Sequence, residues 1–324
     1  MQGEFYMIRL TDLTLRFVDV SAVSDEALRE FYTLLFVIGA DLVEIGPAAA
    51  QRLGGVLDRA RTVLHISHPE EAIPGFVRYS CRAGDMPTPL PLLQEIRVND
   101  VREITLLSRY EDLAGVRIVG LDDLMLQDFN RVFARLRREL SGAVEFCPTN
   151  ACGCASALLT EWLLEDGGNG AGAFAGAGGF APLEETLLAL ELTQKYRKRS
   201  DLTVLPRLAA LYEQITGVRI PAHKPVLGAD IFAVESGVHV DGVLKNAANY
   251  EPYPPETVGA RRRIIVGKQS GRGSLQYVLT ELGCIPVPER LDALLHAVRL
   301  ASSRLRRALT DDELLALARR EGAV

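Results

Sequence analysis

Short β-branched runs alternate with longer stretches of helical period through the first 220 residues of this chain. A strand that reaches its neighbour through a helical crossover pairs with it in parallel, so the alternation calls for a parallel sheet wrapped by helices. The runs IRLTDLTL (8–15), ADLVEIG (40–46), RTVLHIS (61–67), FVRYSCR (76–82), REITLLS (102–108), VRIVGL (116–121) and GAVEFC (142–147) read as strands. Residues 24–39 read as a helix opened by Ser24 as N-cap, with Asp25 and Glu26 in the first turn, and 122–140 as one long periodic helix. The pattern favours an α/β fold of the TIM-type (β/α) barrel class over an open sheet. From Gly167 to Gly179 the chain is almost wholly glycine and alanine and resembles a loop or a worn-down strand. Helical stretches follow at 182–196 and 202–217, the second interrupted by Pro206.

The character of the chain then changes. Residues 221–273 are rich in proline, glycine and single polar residues, too long a stretch for a plain connection, and such a segment carries function or makes an interface. Helix returns at 274–283, 288–309 and 310–322, the last opened by a capping box of Thr310 and Glu313. The domain reading is a barrel over 1–220 and an extended-plus-helical subdomain over 221–324.

Composition excludes several classes. With 48% hydrophobic and 24% charged residues the chain is not disordered, and it can bury one large core with a smaller module beside it. A net charge of −6, with one short basic run at Arg261-Arg262-Arg263, leaves no footprint for nucleic acid. No apolar run is long enough to span a membrane, and the N-terminus lacks the layout of a signal peptide, so a cytoplasmic location is expected. The cysteines, Cys81, Cys147, Cys152, Cys154 and Cys284, are irregularly spaced. They do not read as a disulfide framework, and Cys152-Gly-Cys154 lacks the second pair that a zinc site needs. Cys147, Cys152 and Cys154 read as small buried fillers. His65 and His68 read as surface or turn residues.

The segment KPVLGADIFAVESGVHVDGVLKNAANYEPYPPETVGARRRIIVGKQSGRGSL (224–275) closely resembles the region just beyond the barrel in homocitrate synthases, above all the nitrogen-fixation type, and in the related isopropylmalate and citramalate synthases. DLTLRFVDV (12–20) stands where that family has D-T-T-L-R-D-G-E-Q, and GADLVEIGPA (39–48) is similar to its G-x-D-x-I-E-x-G-x-P. VEFCPTNACGCASA (144–157) takes the place of its H-x-H-N-D-x-G strand end, and APLEETLLALE (181–191) that of the helix after its T-V-N-G loop. The barrel part looks shorter than is usual for the family. The resemblance implies condensation of acetyl-CoA with a 2-oxo acid on a divalent metal at the C-terminal face of a TIM barrel. Such a metal needs hard oxygen and imidazole ligands.

Carried across position by position, the metal ligands are replaced. The aspartate of L-R-D falls on Phe17, the two histidines on Cys147 and Thr149, and only the asparagine after them remains, as Asn150. Arg16 survives, and the following glutamate becomes Asp19. The asparagine of T-V-N-G falls near Gly172, and the glutamate and arginine of G-E-R near Gly176 and Ala177. Arg16 is read as catalytic or as a plain ion-pair residue. Asn150, Asp19 and Glu44 are read as substrate-binding, Glu44 alternatively as a structural residue inside the barrel. The C-terminal module keeps Glu235, Ser236, Gly237, His239, Asp241 and Gly242 of its motif, and Gln269 replaces a histidine in GKQSG. In family members this module reaches across a dimer into the neighbouring barrel. His239, with Tyr253 or Tyr250, would assist proton transfer there, or His239 would be a structural interface residue.

The chain is therefore expected to hold no cofactor of its own, although its family uses a divalent metal. Three readings stand. It is a noncatalytic or accessory subunit, homodimeric or paired with an intact synthase homologue; or a free-standing acyltransferase using acetyl-CoA and a 2-oxo acid with an altered site; or a regulatory protein that binds a 2-oxo acid or dicarboxylate.

Overall fold

Eight parallel strands close on themselves into a barrel. In chain order they are β1 (Arg9–Asp12), β2 (Leu42–Ile45), β3 (Thr62–His65), β4 (Arg78–Arg82), β5 (Leu92–Val98), β6 (Gly115–Gly120), β7 (Ala143–Pro148) and β8 (Asn169–Gly172). The computed structural model describes residues 8–83, 90, 92–110, 112–166, 168–193 and 200–324. The ring is sealed by β1 against β8, in the register Arg9↔Asn169 through Asp12↔Gly172.

The helices of this part are α1 (Thr14–Phe17), α2 (Asp25–Ile38), α3 (Pro47–Leu53), α4 (Phe129–Glu139), α5 (Ala155–Asp166), α6 (Leu183–Leu192) and α7 (Leu205–Thr216). In α2 the Ser24 hydroxyl accepts from Ala27 N and Gly39 ends the helix in the left-handed region, while Leu28, Phe31, Leu35 and Ile38 are buried. Pro206 lies in the first turn of α7, where its missing N–H is not needed, so it starts the helix rather than interrupting it. The barrel keeps all eight strands. Between β3 and β6 the described connections carry 3-10 helices at Pro69–Glu71 and Val101–Tyr110 and no α-helix.

Three sequence assignments need correction. Residues 102–108 belong to the Val101–Tyr110 3-10 helix, whose buried Ile104 and Leu107 are spaced by one 3-10 turn. The fifth strand is instead LLQEIRV (92–98), passed over because Gln94, Glu95 and Arg97 break the apolar run. The single helix expected over 122–140 is a short 3-10 helix, Leu124–Leu126, followed by α4. Asp128 caps α4 by accepting from Arg131 N. The end of the helix expected over 182–196 lies outside the described residues beyond Thr193.

The glycine-alanine run is a strand with a packing purpose. A Cβ on Gly170 would come within 2.6 Å of Leu159 Cδ1 in α5, and one on Gly172 within 2.6 Å of the Ala181 carbonyl oxygen. Small residues let α5 and the following turn lie directly on β8. Beyond that strand, Phe174–Gly179 forms 3-10 turns with Ala175, Gly176 and Gly178 at positive φ.

Contacts divide the chain into Met1–Ile220 and Pro221–Val324. In the second unit β9 (Ala233–Val234) pairs in parallel with β10 (Arg263–Ile264). The helices are α8 (Gly237–Lys245), α9 (Arg272–Glu281), α10 (Leu291–Leu305) and α11 (Asp311–Arg320). Leu275, Leu279, Leu294, Val298 and Leu314 form its core. The capping box of Thr310 and Glu313 opens α11 as expected. Among the described residues no helix is long and apolar enough to cross a membrane.

Replacing Gly172 by alanine forces backbone apart at the barrel seam and is expected to cost about 1–3 kcal/mol. Gly55→Ala, whose Cβ would meet nothing within 4 Å, should stay within about 0.5 kcal/mol of the wild type. Chemical denaturation of the two variants side by side measures the difference.

Candidate functional site

Alternate residues of the barrel strands point inward, and in most TIM barrels they are branched aliphatic. Here the middle of the barrel is ionic. Arg117 on β6 is fully buried. Its Nη1 donates to Glu44 Oε2 at 2.7 Å and Glu95 Oε1 at 2.8 Å, and its Nε donates to Glu145. From α1, Arg16 grips Glu95 with both terminal nitrogens at 2.5 and 2.9 Å, and its Nη1 also reaches Glu44 Oε1 at 3.0 Å. Thr11 donates to the second oxygen of Glu145 at 2.6 Å. His65 Nδ1 lies 3.0 Å from Ser80 Oγ and 3.7 Å from Glu44 Oε1.

These contacts set the charge states. Burial alone would raise the Glu95 carboxyl, but the Arg16 hydrogen bonds and the charges of Arg117 and Arg16 bring it down to about 2. Glu145 moves the other way: burial raises it, and Arg117 offsets this only in part. Burial would lower the pKa of Arg117, yet Glu145, Glu44 and Glu95 together hold the guanidinium far above its ordinary value. His65 is pushed down, first by burial, and is neutral at pH 7. At the C-terminal end of β1, Asp12 is raised to about 7 by burial, even though it accepts from Thr14 N, Thr14 Oγ1 and Phe174 N.

Above this ionic layer, at the C-terminal mouth, Leu13, Val119, Cys147, Ala171, Ala173 and Phe180 form an apolar cluster. The Phe17 ring packs on Phe180 with centroids 5.4 Å apart. Cys147 is fully enclosed, and burial raises its thiol well above the ordinary value. The hydroxyl of Thr149 donates to Asp122. Asn150 Oδ1 accepts from Ala155 N at the start of α5, and Asp19 caps a 3-10 turn by accepting from Ser21 N. Two cysteines are not the buried fillers expected of them: Cys152 is exposed and Cys154 half-exposed, on the turn after β7. His65 is likewise not a surface residue, because β3 turns it inward toward Glu44. His68 does lie in a turn, ahead of Pro69–Glu71.

The structure thus brings Arg16 and Glu44 together and assigns Asn150 and Asp19 to local caps. His239 and Tyr253 belong to the C-terminal unit. There the His239 ring lies 5.9 Å from Tyr250, while Tyr253 packs edge-on against Phe232 at 5.4 Å. A Cβ on Gly242 would fall 2.2 Å from the Tyr250 ring, so the retained glycine admits that tyrosine against α8. Glu235 accepts from Gln269 N at 2.7 Å and Gly237 N donates to Gln269 O, which ties the ESG and GKQSG segments to each other.

The donors present do not fit a hard divalent cation. At the mouth stand a phenyl ring, a buried thiol and a hydroxyl already bonded to Asp122. Deeper in, the carboxylates that converge are bound to guanidinium groups, and a cation would have to displace Arg16 or Arg117 to reach them. Among the described residues no three His, Cys, Asp or Glu side chains are grouped so as to hold a metal ion.

Sequence reasoning passed over Glu95, Arg117, Glu145 and Ser80. The signal was present: Arg117 between Val116 and Ile118, and Glu145 between Val144 and Phe146, are charges inside apolar strands, which must find partners once buried.

Arg117→Leu would leave the carboxylates without their shared cation and should cost about 3–5 kcal/mol at pH 7. The loss should shrink as the pH falls and the freed carboxylates take up protons, which denaturation at pH 7 and pH 5 would measure. For Asp12 the native value of about 7 lies above the ordinary 3.8. Its contribution to stability is therefore complete below 3.8 and is lost as the pH rises through about 7. A carbon-13 carboxyl titration should place the Asp12 midpoint near 7.

A family model described as "Homocitrate synthase post-HMGL domain-like" matches residues 226–305. The chain is 30% identical over 232 residues to the homocitrate synthase omega subunit of Clostridium pasteurianum, covering 69% of this chain and 65% of that protein. It is 33% identical over 225 residues to the 2-isopropylmalate synthase of Shouchella clausii, covering 63% of this chain and 42% of that enzyme. With homocitrate synthase 1 of a Nostoc species it shares 39% over 143 residues, 44% of this chain and 38% of that protein. It thus spans less than two thirds of the length of each of these relatives. Among solved structures, the HMG-CoA lyase of Bacillus subtilis superposes with a TM-score of 0.52 at 15% identity, covering 68% of this chain and 97% of that one, a likeness of fold. With the matched C-terminal segment, the curated relatives and the closed barrel together, the chain belongs to the homocitrate synthase and isopropylmalate synthase family.

Proposed function

We propose that this chain is a noncatalytic subunit of a synthase of this family and acts with an intact homologue. The observation that carries the reading is the state of the barrel. The inward carboxylates are bound to Arg16 and Arg117, and Leu13, Val119, Cys147, Phe180 and Phe17 give the mouth above them an apolar lining. A carbonyl entering there would meet no free carboxylate to act as base, and both guanidiniums are engaged by carboxylates, Arg117 keeping only its buried Nη2 without a partner. The C-terminal unit, by contrast, presents His239 on the exposed side of α8 beside Tyr250, in the segment that matches the family model. In the family that segment serves a neighbouring barrel, so the chain would complete or stabilise its partner's site. The C. pasteurianum relative, itself named as a subunit, is consistent with this division of labour.

Two measurements test it. The isolated chain should release no thiol from acetyl-CoA with 2-oxoglutarate, 2-oxoisovalerate or pyruvate; turnover by the chain alone would refute the proposal. Mixed with an intact homologue from the same cell, it should co-elute and change that enzyme's kcat, and His239→Ala should reverse the change without breaking the complex. A mixture that elutes as separate proteins with unchanged turnover would sink the reading.

A further inference from the structure

Among the described residues, the opposite, N-terminal mouth of the barrel is open. It holds a cavity of about 540 Å³, within the size range of small-molecule sites. In most TIM barrels this end is packed and serves stability. Here β6 and β7 begin with Gly115 and Ala143, which leave the floor of the barrel unfilled on that side. The walls facing this gap are aliphatic: Leu42 and Val63 on one side, Leu92 and Leu93 on the other. At the inner end lies Glu145, already bound by Arg117 and Thr11. Two cations line the mouth, Arg9 at the start of β1 and Arg78 at the start of β4. Neither forms an ion pair with a described residue; Arg78 donates to the Ala60 carbonyl at 2.7 Å. Among the described residues, Asp112 is the acid on the rim.

We infer that this cavity is a binding site for a small amphipathic carboxylate, one with a linear aliphatic tail. The charge arrangement sets the orientation. A carboxylate driven inward would face Glu145 in a low-dielectric setting, whereas at the rim it meets the guanidiniums of Arg9 and Arg78. The tail therefore runs inward over Gly115 and Ala143 against Val63 and Leu93, and each methylene removed from water adds to affinity. The site lies on the face of the barrel opposite Arg16 and Phe17, and the inference does not depend on whether the chain is a catalytic partner.

Sodium octanoate is the probe, titrated calorimetrically into the full chain. Saturable binding at one site is expected, at least tenfold tighter than that of butyrate or of 1-octanol. Arg9→Gln combined with Arg78→Gln should weaken octanoate at least tenfold and leave 1-octanol unchanged, and Ala143→Leu should abolish binding of both. In the wild type, the methyl resonances of Leu42, Val63 and Leu93 should shift on addition of octanoate, which locates the site even if a variant fails to fold. No saturable binding, octanol bound as tightly as octanoate, unshifted methyls, or a folded Ala143→Leu protein with full affinity would each overturn the inference.

Discussion

The Arg117 guanidinium, buried at mid-height in the barrel and shared by Glu44, Glu95 and Glu145, is the contact on which the arrangement of the strands depends. It joins β6 to β2, β5 and β7, and Arg16 adds the end of β1 by binding two of the same carboxylates. A charge so enclosed must be paired, because its desolvation is costly unless opposite charges and hydrogen bonds replace the water. Aliphatic side chains of equal volume can fill such a layer without loss of stability. What the ionic layer adds is register. A slip of one residue in β6 would turn Arg117 to the outer face and strand three carboxylates inside.

The same pairing decides what the barrel can do chemically. Carboxylates and arginines are the groups with which this family's chemistry would be built, and here they satisfy one another. The C-terminal mouth is lined by aromatic and small apolar side chains, with Phe17 against Phe180 and the Cys147 thiol held neutral by burial. Polar groups at the family's motif positions have become local supports: Asn150 caps α5, Asp19 caps a turn, and Glu235 ties one loop of the C-terminal unit to another. The exposed ring of His239 is the exception, and it stands in the other unit.

Much of the fold was legible because strand and helix periods differ and because caps announce helix ends. Ser24 before α2 and the Thr310 capping box before α11 stand where their side chains suggested. Six of the strands coincide with runs of β-branched residues, since those runs pack on both faces. β5 did not, because Glu95 and Arg97 interrupt it: Glu95 is there for Arg117 on β6, whereas Arg97 lies exposed and bonds to nearby Asn99. β8 was ambiguous for the opposite reason: glycine and alanine carry no pattern, and what selects them is the closeness of Leu159 and Ala181. The replaced ligand positions at Phe17, Cys147 and Thr149 could be read from motif position alone. The buried charges of the ionic layer left a signal inside apolar strands, but their pairing could not be read, because it joins residues as far apart in the chain as Thr11 and Glu145.

The seam between β1 and β8 has a kinetic consequence. Asp12 accepts from Phe174 N across 162 residues of chain, so these bonds can form only after the intervening strands and crossovers have been gathered in. A ring closed by its two most distant members has a high contact order and folds slowly. Until the closure is complete, the far side of β7 and the side of β1 that β8 will cover are bare sheet edges, open to pairing with another molecule. The glycines that let β8 slide in beneath α5 thus guard the nascent chain against aggregation during its assembly.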